Sequence, residues 1–307
     1  MLSGRDACKD ELVNCAQEDA KIVCLEADLG GRNHPFQQRF PDRFYNIGIA
    51  EMAAIDMCTG LAAAGFKPFF TTFAPFAALR CAEAIKLSLG YMGQPITVIG
   101  AYGGVSGGWF GTTHHSLEDV GAVRLFPGIR IACPYGEAET RQVLRNAAQG
   151  NEPCYIRLGR NDVYPDLARS AEFDTLIVEQ DYRASHPVTL VSVGEKATQL
   201  CVAAKQELGE INHLHLCYVD NASLHHLMPD IARLAGPLLV VEEHRRAGSV
   251  AAELALSMPH KQVLSYTPND DWPQYGGSQD DVLAGLNFSL ERLLTTIKDI
   301  IYAKEHV

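Results

Sequence analysis

The sequence predicts an α/β protein of two doubly wound domains with mainly parallel sheets. Short apolar runs of strand length alternate with helical segments along almost the whole chain, the pattern of βα units feeding a parallel sheet. That alternation lapses once, from about Asn161 to Pro187, and then starts afresh. A chain of 307 residues is also long enough to bury two substantial cores. The expected division is therefore a first domain over 1–165, a linker over 166–186 and a second domain over 187–307.

Taken in order, Arg5 to Gln17 reads as a helix and Lys21 to Asp28 as a strand, followed by a polar loop, Leu29 to Asp42, that carries Gly30-Gly31-Arg32. Met52 to Gly65, rich in Ala, Ile, Met and Leu, reads as a buried helix, and Lys67 to Phe73 as a short apolar strand. A helix over Ala77 to Leu89, a strand over Ile96 to Tyr102 and a glycine-rich loop over Gly103 to Thr113 come next. The first domain closes with a strand at Ile129 to Pro134, a helix at Glu137 to Ala148 and a strand at Cys154 to Leu158. The second βα series runs through Val188–Val193, Lys196–Leu208, His213–Val219, Pro229–Leu234, Leu238–Glu243, Ser249–Ser257 and Val263–Tyr266, and ends in a helix from about Leu290. No internal repeat or low-complexity tract interrupts either series.

Composition narrows the function classes. Hydrophobic residues make up 47% and charged residues 21%, ordinary for a globular protein. A net charge of −11 argues against nucleic acid or an anionic membrane as partner. Met1 to Asp10 has no apolar signal core, and no stretch has the length of a membrane span, so a cytoplasmic location is expected. The nine cysteines are scattered, with no C-x-x-C pair or zinc spacing, and those in apolar runs, such as Cys24, Cys58 and Cys154, read as buried free thiols. His225-His226 and His244 lack ligand spacing and read as structural. Gly103 to Gly108 is not a dinucleotide fingerprint, because no helix-opening G-x-G-x-x-G follows the strand.

The chemistry concentrates around Asn46-Ile47-Gly48-Ile49-Ala50-Glu51 and Thr71-Thr72-Phe73-Ala74-Pro75-Phe76. Glu51 is a lone carboxylate among apolar neighbours. Phe73 and Phe76, three apart at a helix start, would share a face and form a flat aromatic platform. A buried acid beside such a platform suits a planar basic heterocycle: the acid hydrogen-bonds a ring nitrogen while the ring stacks. On their own, these residues also read as an acid serving a helix dipole and a pair of core phenylalanines.

Gly48-Ile49-Ala50-Glu51, then Gly65-Phe66-Lys67-Pro68, then Thr72-Phe73-Ala74-Pro75-Phe76 closely resembles the pyrimidine-binding half of transketolases. The resemblance is less close to 1-deoxyxylulose 5-phosphate synthases and to the β subunits of 2-oxo acid dehydrogenases. It runs over essentially the whole chain and is strongest from Glu26 to Arg160. Leu79-Arg80 through Ala84-Ile85-Lys86 favours transketolase, and Val241-Glu242-Glu243-His244 with Gly248-Ser249 resembles the carboxy-terminal domain of that family. The implied folds are a thiamine-diphosphate pyrimidine-binding domain followed by a transketolase C-terminal-like domain.

The resemblance implies that Glu51 is the acid/base facing the aminopyrimidine of thiamine diphosphate, with Phe73 and Phe76 stacking it and Asp28 near its thiazolium. The family grips the diphosphate and its Mg²⁺ (or Ca²⁺) through a Gly-Asp-Gly run and a later Asn pair. This sequence contains no Gly-Asp-Gly and no G-x-x-x-x-G-K-[ST] loop. The chain is thus expected to be half of a split enzyme, with an N-terminal transketolase-like subunit carrying the diphosphate site, in an α₂β₂ assembly.

On the substrate side, His114 matches the family histidine that contacts substrate oxygens, in the run Phe110-Gly111-Thr112-Thr113-His114. Phe110 stands where transketolases have an Asp that reads a substrate hydroxyl, which removes an acceptor and adds apolar surface. Arg5 and Arg160 match family phosphate-binding arginines, Arg32 falls where a serine is usual, and Tyr102 where a histidine is usual. Guanidinium forks suit phosphate, sulfonate or carboxylate, so an anionic small-molecule ketose is implied. The expected activity is transfer of a two-carbon ketol unit from a ketose to an aldehyde. The alternatives are the β subunit of a 2-oxo acid dehydrogenase and a non-catalytic scaffold or regulator.

Overall fold

The computed structural model describes residues 1–29, 33–160, 162–167, 177–178 and 182–305. The first part of the chain runs α1 (Gly4–Glu18), β1 (Ile22–Glu26), α2 (Pro35–Arg39), β2 (Phe44–Asn46), α3 (Glu51–Ala63) and β3 (Lys67–Phe73). A helical stretch follows, in which α4 (Ala82–Ile85) lies between two π-helical turns, Phe76–Arg80 and Lys86–Tyr91. Then come β4 (Thr97–Ala101), α5 (Asp119–Val123), β5 (Arg130–Ala132), α6 (Gly136–Gln149) and β6 (Cys154–Arg157). The second part comprises β7 (Ile177–Val178), β8 (Thr189–Val193), α7 (Glu195–Leu208), β9 (Asn212–His215), α8 (Asn221–Arg233), β10 (Leu238–Glu242), α9 (Val250–Ser257), β11 (Val263–Tyr266), α10 (Gln279–Gly285) and α11 (Leu290–Glu305).

Two sheets result. The first has the order β2-β1-β3-β4-β6-β5, with every pair parallel. The second has the order β11-β10-β8-β9-β7 and is parallel except for β7, which runs antiparallel to β9 from inside the expected linker. Successive strand residues face opposite sides, and both sides of the first sheet are covered. Ile22, Cys24, Ile99, Cys154 and Ile156 meet Leu12, Cys15, Val143 and Leu144 of α1 and α6. Val23, Leu25, Phe70, Val98 and Tyr155 meet Ile55 and Cys58 of α3 and Ala77, Cys81 and Ile85 of the π-interrupted helix. This second core continues into the other sheet through Val191, Val193, Leu214 and Val240. A fully buried Leu or Ile in such a core contributes roughly 1.5–3 kcal/mol.

The two sheets meet at their carboxyl edges. Cys133 and Val219 donate to the carbonyls of Cys217 and Ile131 at 2.7 and 2.9 Å, and Arg157, ending β6, donates to the Glu243 carbonyl at 2.8 Å. The crevice outside the carboxyl ends of β8 and β10, where an open α/β sheet ordinarily takes a ligand, is thereby filled by residues from the part of the chain that carries the first sheet.

Several expectations need correction. The Leu29–Asp42 loop holds α2, with Phe36 fully buried, and His34, buried, pairs with Glu26 at 2.9 Å and stacks on Phe44. Helix α3 is buried on one face only, because Met52 and Met57 point outward. Helix α8 does not begin at Pro229. It begins at Asn221, capped by the Asp220 carboxylate that accepts from Ser223 N–H at 2.9 Å, and runs through the proline. Leu224, Leu227 and Ile231 form its buried stripe, while Pro229 lies on the exposed side. Burial of that stripe outweighs the missing N–H. The strand expected over His213–Val219 ends at His215. No described helix is long and apolar enough to cross a membrane.

Candidate active site

The residues singled out in the sequence gather at the carboxyl edge of the first sheet, where five adjacent strands end. From the β2 exit the chain reaches Glu51, the first residue of α3; Asp28 follows β1; Phe73 ends β3; Tyr102 follows β4; and Gly159-Arg160 follow β6. Asp28 and Tyr102 leave their strands with φ of 53° and 60°, a left-handed backbone that costs a residue bearing a Cβ free energy and concentrates at functional sites.

One group forms around Glu51. Glu51 is 2% exposed, and its carboxylate accepts a hydrogen bond from Arg80 Nη1 at 2.7 Å. The guanidinium of Arg80, its side chain 40% exposed, lies 4.1 Å above the ring of Phe76. The π-turn Phe76–Arg80 produces this overlap by placing the two on one face. Arg80 belongs to the family resemblance but not to the expected site; its four-residue spacing from Phe76 is the available signal.

The aromatic residues do not form a flat platform. Phe73 ends a strand rather than sharing a helix with Phe76, and their rings meet edge to face at 5.7 Å and 67°. His114 packs edge-on against both, at 5.0 and 5.1 Å, and stacks on Phe110 at 4.9 Å. Thr113 Oγ1 is 2.9 Å from His114 Nδ1. Partial burial, then the neighbouring Arg80 charge, hold the His114 pKa below its ordinary value. The ring is therefore neutral at pH 7, with one nitrogen able to donate and one to accept.

A second group adjoins it through Phe73, whose ring lies 4.7 Å from that of Tyr102. Arg5 Nη1 donates to Tyr102 Oη at 2.9 Å. The guanidiniums of Arg5 and Arg160 lie 5.3 and 5.6 Å from the Tyr102 ring centre, and Arg160 also covers Trp109 at 4.1 Å. Among the described residues, the Nε atoms of both arginines are buried without a hydrogen-bond partner. Two guanidiniums around one phenol ring suit an oxyanion. Trp109, 49% exposed like Phe110 at 41%, is a member that sequence reasoning missed. Among the described residues, no ring or hydrogen-bond contact joins Asp28, which is exposed, to either group. Arg32 lies outside the described residues.

The part of the chain that carries the second sheet braces the glycine-rich loop, Gly103 to Thr113, from behind. Glu243 accepts from Val105 N–H at 3.2 Å and from Gln279 at 2.9 Å, and a Cβ on Gly104, whose φ is +64°, would overlap its carboxylate. Gly277 N–H and Thr112 Oγ1 tie the stretch 273–277 to the loop, by way of Gly108 O and Pro273 O. His244 pairs with Glu242 at 2.7 Å and His225 with Glu253 at 3.3 Å, contacts that suit structural roles. All nine cysteines are free and buried.

Residues 1–165 match the family described as transketolase, pyrimidine binding domain. The chain is 30% identical over 269 residues to one subunit of the apulose-4-phosphate transketolase of Phocaeicola vulgatus, covering 86% of each chain. It is 33% identical over 208 residues to a 6-deoxy-6-sulfo-D-fructose transketolase subunit of a Clostridium species, covering 67% of this chain and 64% of that one. Among solved structures, a split-gene transketolase in an inactive beta4 tetramer matches with TM-score 0.82 and 26% identity over 98% of both chains. A transketolase from Leishmania mexicana shares the fold, with TM-score 0.80 and 17% identity over 98% of this chain and 46% of that one.

Proposed function

The chain belongs to the transketolase family, and from that premise we propose that it is the pyrimidine-binding subunit of a split, thiamine diphosphate-dependent enzyme. That enzyme moves a two-carbon ketol unit from an anionic ketose to an aldehyde. The observation that carries this reading is Arg80. A planar, nitrogen-bearing cation rests on the face of Phe76 while donating to the buried carboxylate of Glu51. An aminopyrimidine makes the same demands, so the residues present fit that end of the cofactor once Arg80 swings to solvent.

Bound thiamine diphosphate supplies the electron sink for breaking and remaking the ketose C2–C3 bond. Glu51 holds a proton against the pyrimidine nitrogen, in a setting that excludes water. Phe76 and Phe73 fix the ring's tilt, and Asp28 stands at the next strand exit. Neutral His114 offers a donor and an acceptor to the substrate's oxygens, and Arg5, Tyr102 and Arg160 receive its anionic end. The relatives' names carry a phosphate and a sulfonate, two anions that a pair of guanidiniums can bind alike.

The diphosphate and its Mg²⁺ or Ca²⁺ fall to an N-terminal transketolase-like subunit, because this sequence has no Gly-Asp-Gly run. Exposed Ile49 and Met52 flank Glu51, and exposed Leu79 precedes Arg80, an apolar rim that suits a partner's surface. We place the two subunits in an α₂β₂ assembly in the cytoplasm, which agrees with nine free thiols.

Calorimetric titration of thiamine diphosphate with Mg²⁺ tests the split site. Binding is expected to be tight for this chain co-expressed with its partner and at least about 100-fold weaker for the chain alone. Equal affinity in the two samples would refute the division of the site. Phe110→Asp tests specificity: an acceptor restored at the rim is expected to shift relative kcat/KM toward the more hydroxylated of two aldehyde acceptors by about tenfold or more. An unchanged ratio would remove Phe110 from the specificity determinants.

A further inference from the structure

We propose that Glu195, in the second domain, is a positioning residue for the anion pocket: its buried carboxyl, wedged between Gly4 and Gly159, sets where Arg5 and Arg160 meet the substrate's charged end. This rests on the reading of those arginines as the anion site.

Glu195 opens α7, directly after Gly194 with its φ of 80°. Its Oε2 accepts from Gly159 N–H at 2.9 Å. A Cβ built on Gly4 or on Gly159 would overlap the same carboxyl. Each of these glycines immediately precedes one arginine of the pocket. The Gly159 carbonyl in turn accepts from Tyr102 N–H at 3.3 Å, and Tyr102 Oη accepts from Arg5. One carboxyl thus touches the backbone behind both guanidiniums and, through one peptide, the ring between them. With the arginine Nε atoms unpartnered among the described residues, backbone placement, ring contacts and the Arg5–Tyr102 hydrogen bond orient the forks.

The same carboxyl sets the local charge. Burial, with Glu243 and Asp162 nearby, pushes the Glu195 pKa up to about 8, against the opposing pull of Gly159 N–H and Arg157. The phenols of Tyr135 and Tyr164 face it as well and are themselves pushed up by burial first and then by Glu195. Below pH 8 the group is neutral and still accepts from Gly159. Above it, a negative charge stands behind the arginines and beside Glu243 and Asp162, which opposes anion binding. Anion affinity therefore falls as pH rises through about 8, and by linkage anion binding near that pH takes up protons.

Sulfate is the probe, because its charge is constant over this range. The full-length chain carrying Trp272→Phe leaves Trp109, beneath Arg160, as the one remaining tryptophan, so its fluorescence reports occupancy. Sulfate affinity is expected to drop about tenfold between pH 6.5 and 9.0. Glu195→Gln keeps an acceptor for Gly159 and cannot ionise, so it should bind sulfate equally at both pH values. Glu195→Ala should bind weakly at both. In the reconstituted enzyme the same pH rise should raise KM for an anionic ketose while kcat stays level. A pH drop that persists in Glu195→Gln, or no drop in the parent chain, overturns the proposal. Sulfate binding that survives Arg160→Ala instead overturns the anion-site reading beneath it.

Discussion

Replacing Glu51 with alanine is expected to lower turnover of the two-subunit enzyme by at least about 10³-fold, while leaving the fold intact. General acid–base groups contribute roughly 10²–10⁴-fold to rate, and Glu51 holds the planar cation that lies on Phe76. Stability should change little. Helix α3 is held by Ala54, Ile55, Cys58 and Ala62, not by its first side chain. An acid in the first turn is worth about 0.3–1 kcal/mol through the helix dipole. Arg80, already part-exposed, loses its partner without being left as a buried charge. Glu51→Gln should be nearly as inactive, because it keeps the shape and loses the titrating proton. Steady-state turnover with saturating thiamine diphosphate and Mg²⁺, beside a thermal melt, checks this. An alanine variant retaining more than about a tenth of normal turnover would favour a scaffold.

Much of this is legible in the sequence alone. Strands such as Lys67–Phe73 announce themselves by apolar runs between turn residues. Because the sheet is parallel, every strand's exit lies on one edge, so Glu51, Phe73, Tyr102 and Arg160 converge once the strand order is known. What stays hidden depends on contacts between distant residues. A five-residue helix such as α2 carries too few positions to show a period, and its anchors, Phe36 and the His34–Glu26 pair, are defined by the strands they touch. Pro229 reads as a boundary because local chemistry says so, and only the buried stripe of Leu224, Leu227 and Ile231 overrides it. Arg80 stands in a stretch that carries the family resemblance and Trp109 in the glycine-rich loop, but neither is marked there as a site residue, since their roles come from the ring beneath one and the guanidinium above the other.

The location of the chemistry also has a physical cause that no motif displays. Both halves of the chain hold mainly parallel α/β sheets, and either could offer a crevice at its carboxyl edge. In the second sheet that crevice is filled: Val105 and Gln279 occupy the Glu243 carboxylate, and Arg157 reaches the Glu243 carbonyl. The edge of the first sheet keeps an exposed stretch at Trp109, Phe110 and the turn before Glu51. Glu195 and Glu243, from the part of the chain that carries the second sheet, brace the candidate site from behind.

Arg157 is the residue on which this junction depends, and Arg157→Met is expected to cost about 3–5 kcal/mol of stability. Its guanidinium is buried, donating from Nε to Asp119 Oδ2 at 3.0 Å and from Nη2 to the Glu243 carbonyl at 2.8 Å. Asp119 is fully buried, and its Oδ2 also accepts from Tyr155 Oη at 3.1 Å. Removing the cation leaves the buried Asp119 carboxylate with the Tyr155 hydroxyl as its remaining donor among the described residues and no opposing charge from Arg157, which is far costlier than losing a surface pair. At roughly 1.5 °C per kcal/mol for 307 residues, thermal unfolding should fall by about 5–8 °C. Asp119→Leu placed on top of Arg157→Met removes the stranded charge and should recover a large part of the loss, a coupling that two independent sites would not show. A melting temperature within about 2 °C of the parent, or a double variant no better than the single, would show that the junction is held by its apolar contacts instead.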